Sequence, residues 1–347
     1  MVISKLLREN IRNLKPYLSA RIEYSGKNAI FLDANENSIG SVLAEGYNRY
    51  PDPLQTELRQ KISILKCIDA SNIFLGNGSD EAIDLMIRAF CDPKRDEIII
   101  CPPTYGVYSV CANINDVKVI EVPLTPQFDL DIDLIRDRMN SRTKLIFLCS
   151  PNNPTGNIIN IALIQTLLKE FPGIAIIDEA YIDFSNSESW INALSKFQNL
   201  VVLQTFSKAW GLANLRLGMA FANHEIVSVL NNIKYPYNLN GVSQKLVLNA
   251  LRHRVKRDKM VAYIIQQRSR LQSELEKLDC VKKIYPSEAN FLLVKFENAS
   301  LVYKKLIDKK IIVRNRSNLP HCDNCLRITV GTVKENNILI TALKSMD

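Results

Sequence analysis

Glycine is scarce in this chain, with 12 among 347 residues, about half the usual ~7%. In so glycine-poor a sequence each one should mark a place where a side chain would clash or φ must be positive. Long apolar runs are missing too. No stretch of roughly 18 or more apolar residues occurs, which excludes a membrane-spanning helix. The opening MVISKLLRENIRNLKP mixes charge with aliphatics and has no cleavage site, so no secretory signal is expected. Fixed-period repeats and low-complexity tracts are absent. Neither GxGxxG nor GxxxxGK[ST] occurs at its spacing, which removes the dinucleotide-binding and P-loop readings. The CxxC of Cys322 and Cys325 has no second pair at zinc-finger spacing, so no metal site is expected.

What remains is ordinary globular material. The hydrophobic share is 47% and the charged share 23%, values that exclude disordered, collagen-like and coiled-coil classes. The length suggests two domains or one large α/β unit. Eight cysteines are scattered, mostly beside aliphatics, and read as reduced buried thiols of a soluble, cytoplasmic protein. The net charge of +8 is uneven: residues 1–242 carry a net −3 and residues 243–347 a net +11. The densest basic run, Arg252 to Lys259, lies in a helical pattern without helix-turn-helix or zinc-finger spacing. It reads as a solvated helix face, and no nucleic-acid partner is expected.

Short, non-alternating apolar runs recur at Ile98–Cys101, Leu145–Cys149, Ile174–Ile177 and Leu200–Leu203. Each ends in a loop, as strands covered on both faces of a parallel sheet do. Helical patterns lie between them, one opening at Ser79-Asp80-Glu81 and another over Asn160–Phe171. After residue 242 the texture changes to a long helical stretch, Ser243–Leu278, then shorter strand-like pieces and a closing helix. The expected division is an arm belonging with a small domain (1–46), a large domain (47–242) and a small C-terminal α+β domain (243–347).

Seven of the twelve glycines (76, 78, 106, 156, 211, 218, 331) fall in a few polar loop segments. Gly76-Asn77-Gly78-Ser79-Asp80-Glu81 is a turn leading into a helix, whose free N–H groups can hold an anion; a merely capped helix, with Ser79 as cap, is the plainer alternative. A lone lysine is ordinarily a surface charge, but Thr205-Phe206-Ser207-Lys208-Ala209-Trp210 sets this one among apolar residues, where desolvation would favour the neutral, nucleophilic amine. Thr205, Ser207 and Arg216 could share a phosphate. Asp178 stands at the end of an apolar strand, where open α/β sheets bind ligands; a helix cap or a magnesium ligand is the plainer alternative, and the missing P-loop argues against the magnesium. Ser150-Pro151-Asn152-Asn153-Pro154-Thr155-Gly156 is a polar turn after another buried strand.

Together these segments resemble the fold-type I, pyridoxal 5′-phosphate (PLP)-dependent aminotransferases. The likeness runs through RENIRNLKPYLSAR (8–21), LDANEN (32–37), RYPDP (49–53), GNGSDE (76–81), CPPTYGVYSV (101–110), CSPNNPTG (149–156), DEAYIDF (178–184), TFSKAWGLANLRLG (205–218) and CLRITVGT (325–332). RNLKPY, RYPDP and CLRITVGT resemble the branch that acts on histidinol phosphate. The resemblance implies an α/β fold with a mostly parallel central sheet in the large domain and a smaller α+β domain. It implies transamination of L-histidinol phosphate with 2-oxoglutarate to imidazole-acetol phosphate and L-glutamate, a step of histidine biosynthesis.

It also implies roles. Lys208 would carry PLP on its amine and then move the proton of the reaction. Asp178 would pair with the pyridine nitrogen, Asn153 and Tyr181 would bond the ring's 3′-oxygen, and Tyr105 would stack on the ring. The cofactor phosphate would be held by Ser79, Asp80, Thr205, Ser207 and Arg216, with Tyr50 reaching it from the other subunit of a homodimer. Arg327 would bind the substrate's anionic group, glutamate's carboxylate in one half-reaction and the phosphate ester in the other. Tyr17, Tyr50 and Asn153 would also touch the substrate. Trp210 and Asn214 depart from the pattern and bear on substrate preference. The rival readings are an aminotransferase for aromatic amino acids, an amino-acid-phosphate decarboxylase and a PLP-domain transcription regulator. The last needs an added DNA-binding domain for which the resemblance leaves no room.

Overall fold

The computed structural model describes residues 3–15, 17, 30–43 and 46–346. Seven strands form the main sheet: β1 (Ile73–Asn77), β2 (Glu97–Ile100), β3 (Lys118–Glu121), β4 (Thr143–Cys149), β5 (Ile174–Asp178), β6 (Leu200–Thr205) and β7 (Leu217–Ala222). Their order is β1-β7-β6-β5-β4-β2-β3. Strands β6, β5, β4, β2 and β3 are mutually parallel, and β7 runs antiparallel between β6 and β1. The four apolar runs are β2, β4, β5 and β6, as the sequence led one to expect. Successive residues point to opposite cores: Ile146 and Leu148 to one, Leu145 and Phe147 to the other. Burial on both faces explains why these strands read as unbroken apolar runs.

β7 gave no such signal. Its sequence LGMAFA is rich in small residues of low β-propensity. It holds as a strand because two neighbours pair with it and both faces are buried.

A second sheet contains β8 (Val281–Ile284), β9 (Phe291–Phe296), β10 (Arg314–Asn315) and β11 (Cys325–Thr329), ordered β10-β11-β9-β8 and antiparallel throughout. Leu292, Val294 and Phe296 of this sheet share a core with Leu271, Leu306, Leu339 and Leu343 of the helices Arg254–Leu275, Ala299–Asp308 and Val333–Lys344.

Three expectations are corrected. The stretch read as one helix, 243–278, is two, Gly241–Leu251 and Arg254–Leu275. No glycine or proline marks the break; the first helix packs on Thr56–Lys66 and the second on residues 182–184 and 333–344, so different partners set their directions. The helix after β1 starts at Gly78, with Asn77 at the position before it making no side-chain capping bond, so Ser79 lies inside the helix and is not its cap. Residues 3–12 do not join the small sheet: Ile3 is buried in a core of the large sheet, and Arg8 bonds Arg88 O and Asp92. Much of the remaining N-terminal arm (16 and 18–29) lies outside the described residues.

Candidate active site

Between β2 and β4 the chain reverses its direction of travel across the sheet, since β3 lies beyond β2 and β5 and β6 lie beyond β4. Ligands of open α/β sheets sit at the carboxyl ends beside such a point. There β4 ends at Cys149, β5 at Asp178 and β6 at Thr205, and β1 ends at Asn77 on the same edge. A cavity of about 160 Å³ opens between them. Ser79, Asp80, Tyr105, Asn153 and Asp178 line it, together with Tyr181, Thr205, Ser207, Lys208 and Arg216. Ten candidates, spread over 138 positions of sequence, therefore share one cavity.

Asp178 is buried, 3% exposed. Burial pushes its carboxyl up to about 6, although Tyr108 Oη (2.8 Å) and the Ala180 N–H (3.0 Å) donate to it and favour the anion. Lys208 stands in the open cavity, with Nζ 5.5 Å from the centre of the Tyr181 ring. Its side chain is exposed by area, yet the protein around the amine still lowers its pKa. Desolvation leads, Arg327 adds to it, and Asp178 and Asp80 oppose it. The result is a lysine with a larger neutral fraction than a surface amine.

The third group is polar. Thr205 Oγ1 donates to Ser207 Oγ at 3.0 Å and accepts from the Ser207 N–H at 3.1 Å, which gathers both hydroxyls at one end. Arg216 Nη2 lies 3.1 Å from Asp80 Oδ2, and Tyr105 Oη donates to Asp80 Oδ1 at 3.2 Å. Two glycines allow this convergence. A Cβ on Gly218 would lie 2.1 Å from Ser79 N, and one on Gly78 (φ +72°) would lie 2.7 Å from Arg216 Nη2.

At the opposite end, Arg327 Nη1 donates to Asn153 Oδ1. Its Cζ lies 5.2 Å from the Phe291 ring centre, and Tyr181 meets the same ring edge-on at 5.1 Å. Burial lowers the Arg327 pKa; nearby Tyr181 opposes that shift, while Arg316 and Arg314 add to it. Arg314 is the cross-strand partner of Arg327.

Two candidates lie elsewhere. Tyr17 is 75% exposed, and Tyr50 is 52% exposed and stacked on Tyr237 at 4.5 Å. Neither lines the cavity of its own chain. Trp210 packs edge-on against Phe206, under Arg257, and Asn214 is exposed; neither lines the cavity. His224 and His253 are exposed. All eight cysteines are free, six of them buried, and no metal-holding cluster occurs among the described residues.

The sequence reading passed over Tyr108, the phenol that bonds Asp178. It is fully buried and stacks on Phe147 at 4.9 Å. Its spacing of three from Tyr105 at a helix start was the available signal, since such residues share a face. Arg314 and Arg316 were also passed over; cross-strand pairing brings Arg314 to Arg327, and the bond from the Arg316 N–H to Cys325 O continues that pairing.

Comparison with known proteins agrees with this geometry. The family model for aminotransferase class I and II matches residues 23–343. The histidinol-phosphate aminotransferase of Cytophaga hutchinsonii is 52% identical over 343 residues, 99% of each chain. The crystal structure of the histidinol-phosphate aminotransferase from Clostridium acetobutylicum superposes with a TM-score of 0.79 at 26% identity, covering 86% of this chain and 91% of that one. The enzyme of that name from Sinorhizobium meliloti, solved in complex with pyridoxal 5′-phosphate, shares the fold at a TM-score of 0.78 and 20% identity, covering 90% and 89%. A buried acid, a desolvated lysine and a strand-end cavity thus occur in a chain that belongs to the class I and II aminotransferases.

Proposed function

We propose that the protein is a PLP-dependent transaminase that converts L-histidinol phosphate and 2-oxoglutarate to imidazole-acetol phosphate and L-glutamate, in histidine biosynthesis. The observation that carries this reading is the sharing of one cavity by Lys208 and Asp178, at the ends of neighbouring strands, with an arginine at its rim. Full-length identity of 52% to a histidinol-phosphate aminotransferase supports the substrate.

The residues fit the cofactor. A carboxyl held up near 6 by burial, with Lys208 only weakly lowering it, has room for a closer cation, which a protonated pyridine nitrogen would provide. The paired hydroxyls of Thr205 and Ser207, Arg216 and the N-terminal turn at Ser79 and Asp80 form a cradle that a Cβ at Gly218 or Gly78 would invade; it suits a phosphate. The neutral fraction of Lys208 suits an aldehyde. When bound, PLP supplies an electron sink for the pair left behind as the Cα–H bond breaks.

The chain's own residues do the rest. Lys208 Nζ would take the proton from the substrate's Cα and deliver it to C4′ of the cofactor, a task for an amine whose pKa is lowered by desolvation. Asp178, braced by Tyr108, keeps its partner protonated. Asn153 and Tyr181, which line the cavity, would bond the ring oxygen, and Tyr105 would cover the ring face. Arg327 takes the anionic group, and Arg314 and Arg316 add charge where a phosphate ester would sit; Nε of both Arg316 and Arg327 is buried without a hydrogen-bond partner.

The assembly is a homodimer in the cytoplasm, with Tyr17 and Tyr50 completing the substrate end; Tyr50 serves the neighbour's cavity. The exposed apolar side chains around it, Tyr47, Val242 and Leu246, suit a covered surface. Three units complete the proposal: the arm 1–46, the large domain 47–242 and the small domain 243–347. Among the described residues no helix is long and apolar enough to cross a membrane.

The test mixes purified holoenzyme with L-histidinol phosphate and follows the visible spectrum of the cofactor before and after 2-oxoglutarate. The amino-group acceptor should convert stoichiometrically to glutamate. Release of carbon dioxide from an amino-acid phosphate, or turnover confined to aromatic amino acids, overturns the substrate.

A further inference from the structure

We infer that Glu179 is a positioning residue: its carboxylate cross-braces the tips of β5 and β6 and so sets the distance between Asp178 and the segment Thr205–Lys208 that follows β6. The inference rests on the PLP reading above and adds to it a residue that touches neither cofactor nor substrate.

The register explains the arrangement. Asp178 pairs with Leu203 in the parallel ladder, and the Glu179 N–H continues it to Leu203 O at 2.8 Å. Glu179 therefore stands level with Gln204. Strand side chains alternate, so Asp178 and Thr205 face the cavity while Glu179 and Gln204 face away. On that hidden side Gln204 Nε2 donates to Glu179 Oε2 at 2.8 Å. Ser189 Oγ donates to the same oxygen at 2.5 Å, and the Trp190 N–H donates to Oε1 at 2.6 Å. Glu179 is 1% exposed and Gln204 is 4% exposed, so water does not compete for these bonds. Each end of the brace is covalently next to a cavity residue: Glu179 follows Asp178, and Gln204 precedes Thr205, three residues before Lys208.

A rigid planar cofactor held at both ends needs those ends at a fixed separation. Main-chain ladder bonds stop at Glu179, just where that separation is decided. The side-chain brace extends the coupling one step further. A second feature fits this role. The three donors can be met by an amide as well: a glutamine at 179 accepts from Trp190 N–H and donates to Ser189 and to a turned Gln204. The brace therefore depends on hydrogen bonds and not on charge.

The test measures PLP dissociation from holoenzyme by absorbance and fluorescence, together with the pH at which the bound cofactor changes colour. Glu179→Ala should weaken PLP retention by about tenfold or more and shift that transition, and Glu179→Gln should restore both to within about threefold. Gln204→Met, which keeps volume and removes the donor, should act in the same direction even if the alanine variant does not fold. The double variant Glu179→Ala/Gln204→Met should be no worse than the poorer single one, because both break one connection. Additive losses, unchanged PLP retention in the folded single variants, or a glutamine variant as impaired as alanine each overturn the brace. Failure of the wild-type chain to bind PLP instead overturns the cofactor reading, so the two failures are separable.

Discussion

The two ends of the cavity are built differently. The inner end, with Asp178, Lys208 and the hydroxyls of Thr205 and Ser207, grows from strand tips of a sheet buried on both faces. One chain supplies all four of these side chains. The outer end combines Asn153, from the turn after β4, with Arg327 of the small sheet, while Tyr17 and Tyr50 are exposed on the surface of their own chain. The contrast teaches that one group of side chains in a cavity can be rooted in a rigid sheet while another is gathered from separate parts of the fold. Rigid elements hold a reacting group more accurately than loops do, and separate units can change independently.

The sharpest break of this comparison is the lysine. Lys208→Ala should lower kcat by at least about 10⁴-fold, since it removes both the cofactor's anchor and the proton carrier, while circular dichroism stays that of the wild type. Tyr50→Ala should cost less, on the order of tenfold. Mixed and reassembled, the two variant chains should regain about a quarter of wild-type activity, because half of the dimers are then hybrids with one intact site. No recovery means that Tyr50 serves its own chain or none.

Arg327→Lys tests the outer end. Losing the planar two-pronged donor should raise KM about tenfold for both histidinol phosphate and glutamate, with kcat changed less. An effect on glutamate alone contradicts a shared anion site.

The smallest expected effect concerns acidity at the inner end. Burial holds Asp178 up at about 6 and Glu179 at about 7, against ordinary values of 3.8 and 4.5. Raised carboxyl pKa values stabilise the folded state fully only below the unfolded values, and that contribution is lost as pH rises through the folded ones. The cofactor-free chain should therefore lose stability between about pH 4 and about pH 7 from these two groups. Glu179→Gln should gain on the wild type by about 2 kcal/mol between about pH 5 and about pH 8, read from chemical unfolding. A gap that does not vary with pH contradicts a buried, charge-penalised carboxylate.

Much of the inner end was legible in the amino-acid order. An acid closing the apolar run Ile174–Ile177, and a lysine set between hydroxyls and Trp210, are local patterns, and chemistry at a strand end depends on the few residues around it. Glycine scarcity pointed to Gly78 and Gly218, where a Cβ has no room.

The chain alone determined the four buried strands, the cofactor-type loops that follow them and the family they belong to, because these rest on short-range apolar pattern and turn chemistry. Only the tertiary structure decided that β7 slips antiparallel between β1 and β6, that the helical stretch breaks at Arg252–His253, and that Tyr108 rather than a neighbour supports Asp178. It alone also joined Arg327 to Asn153 across 174 positions of sequence and set Arg314 beside it. The physical reason is common to all five. Each depends on burial and hydrogen bonding between segments far apart along the chain, where local propensity carries no information about the partner.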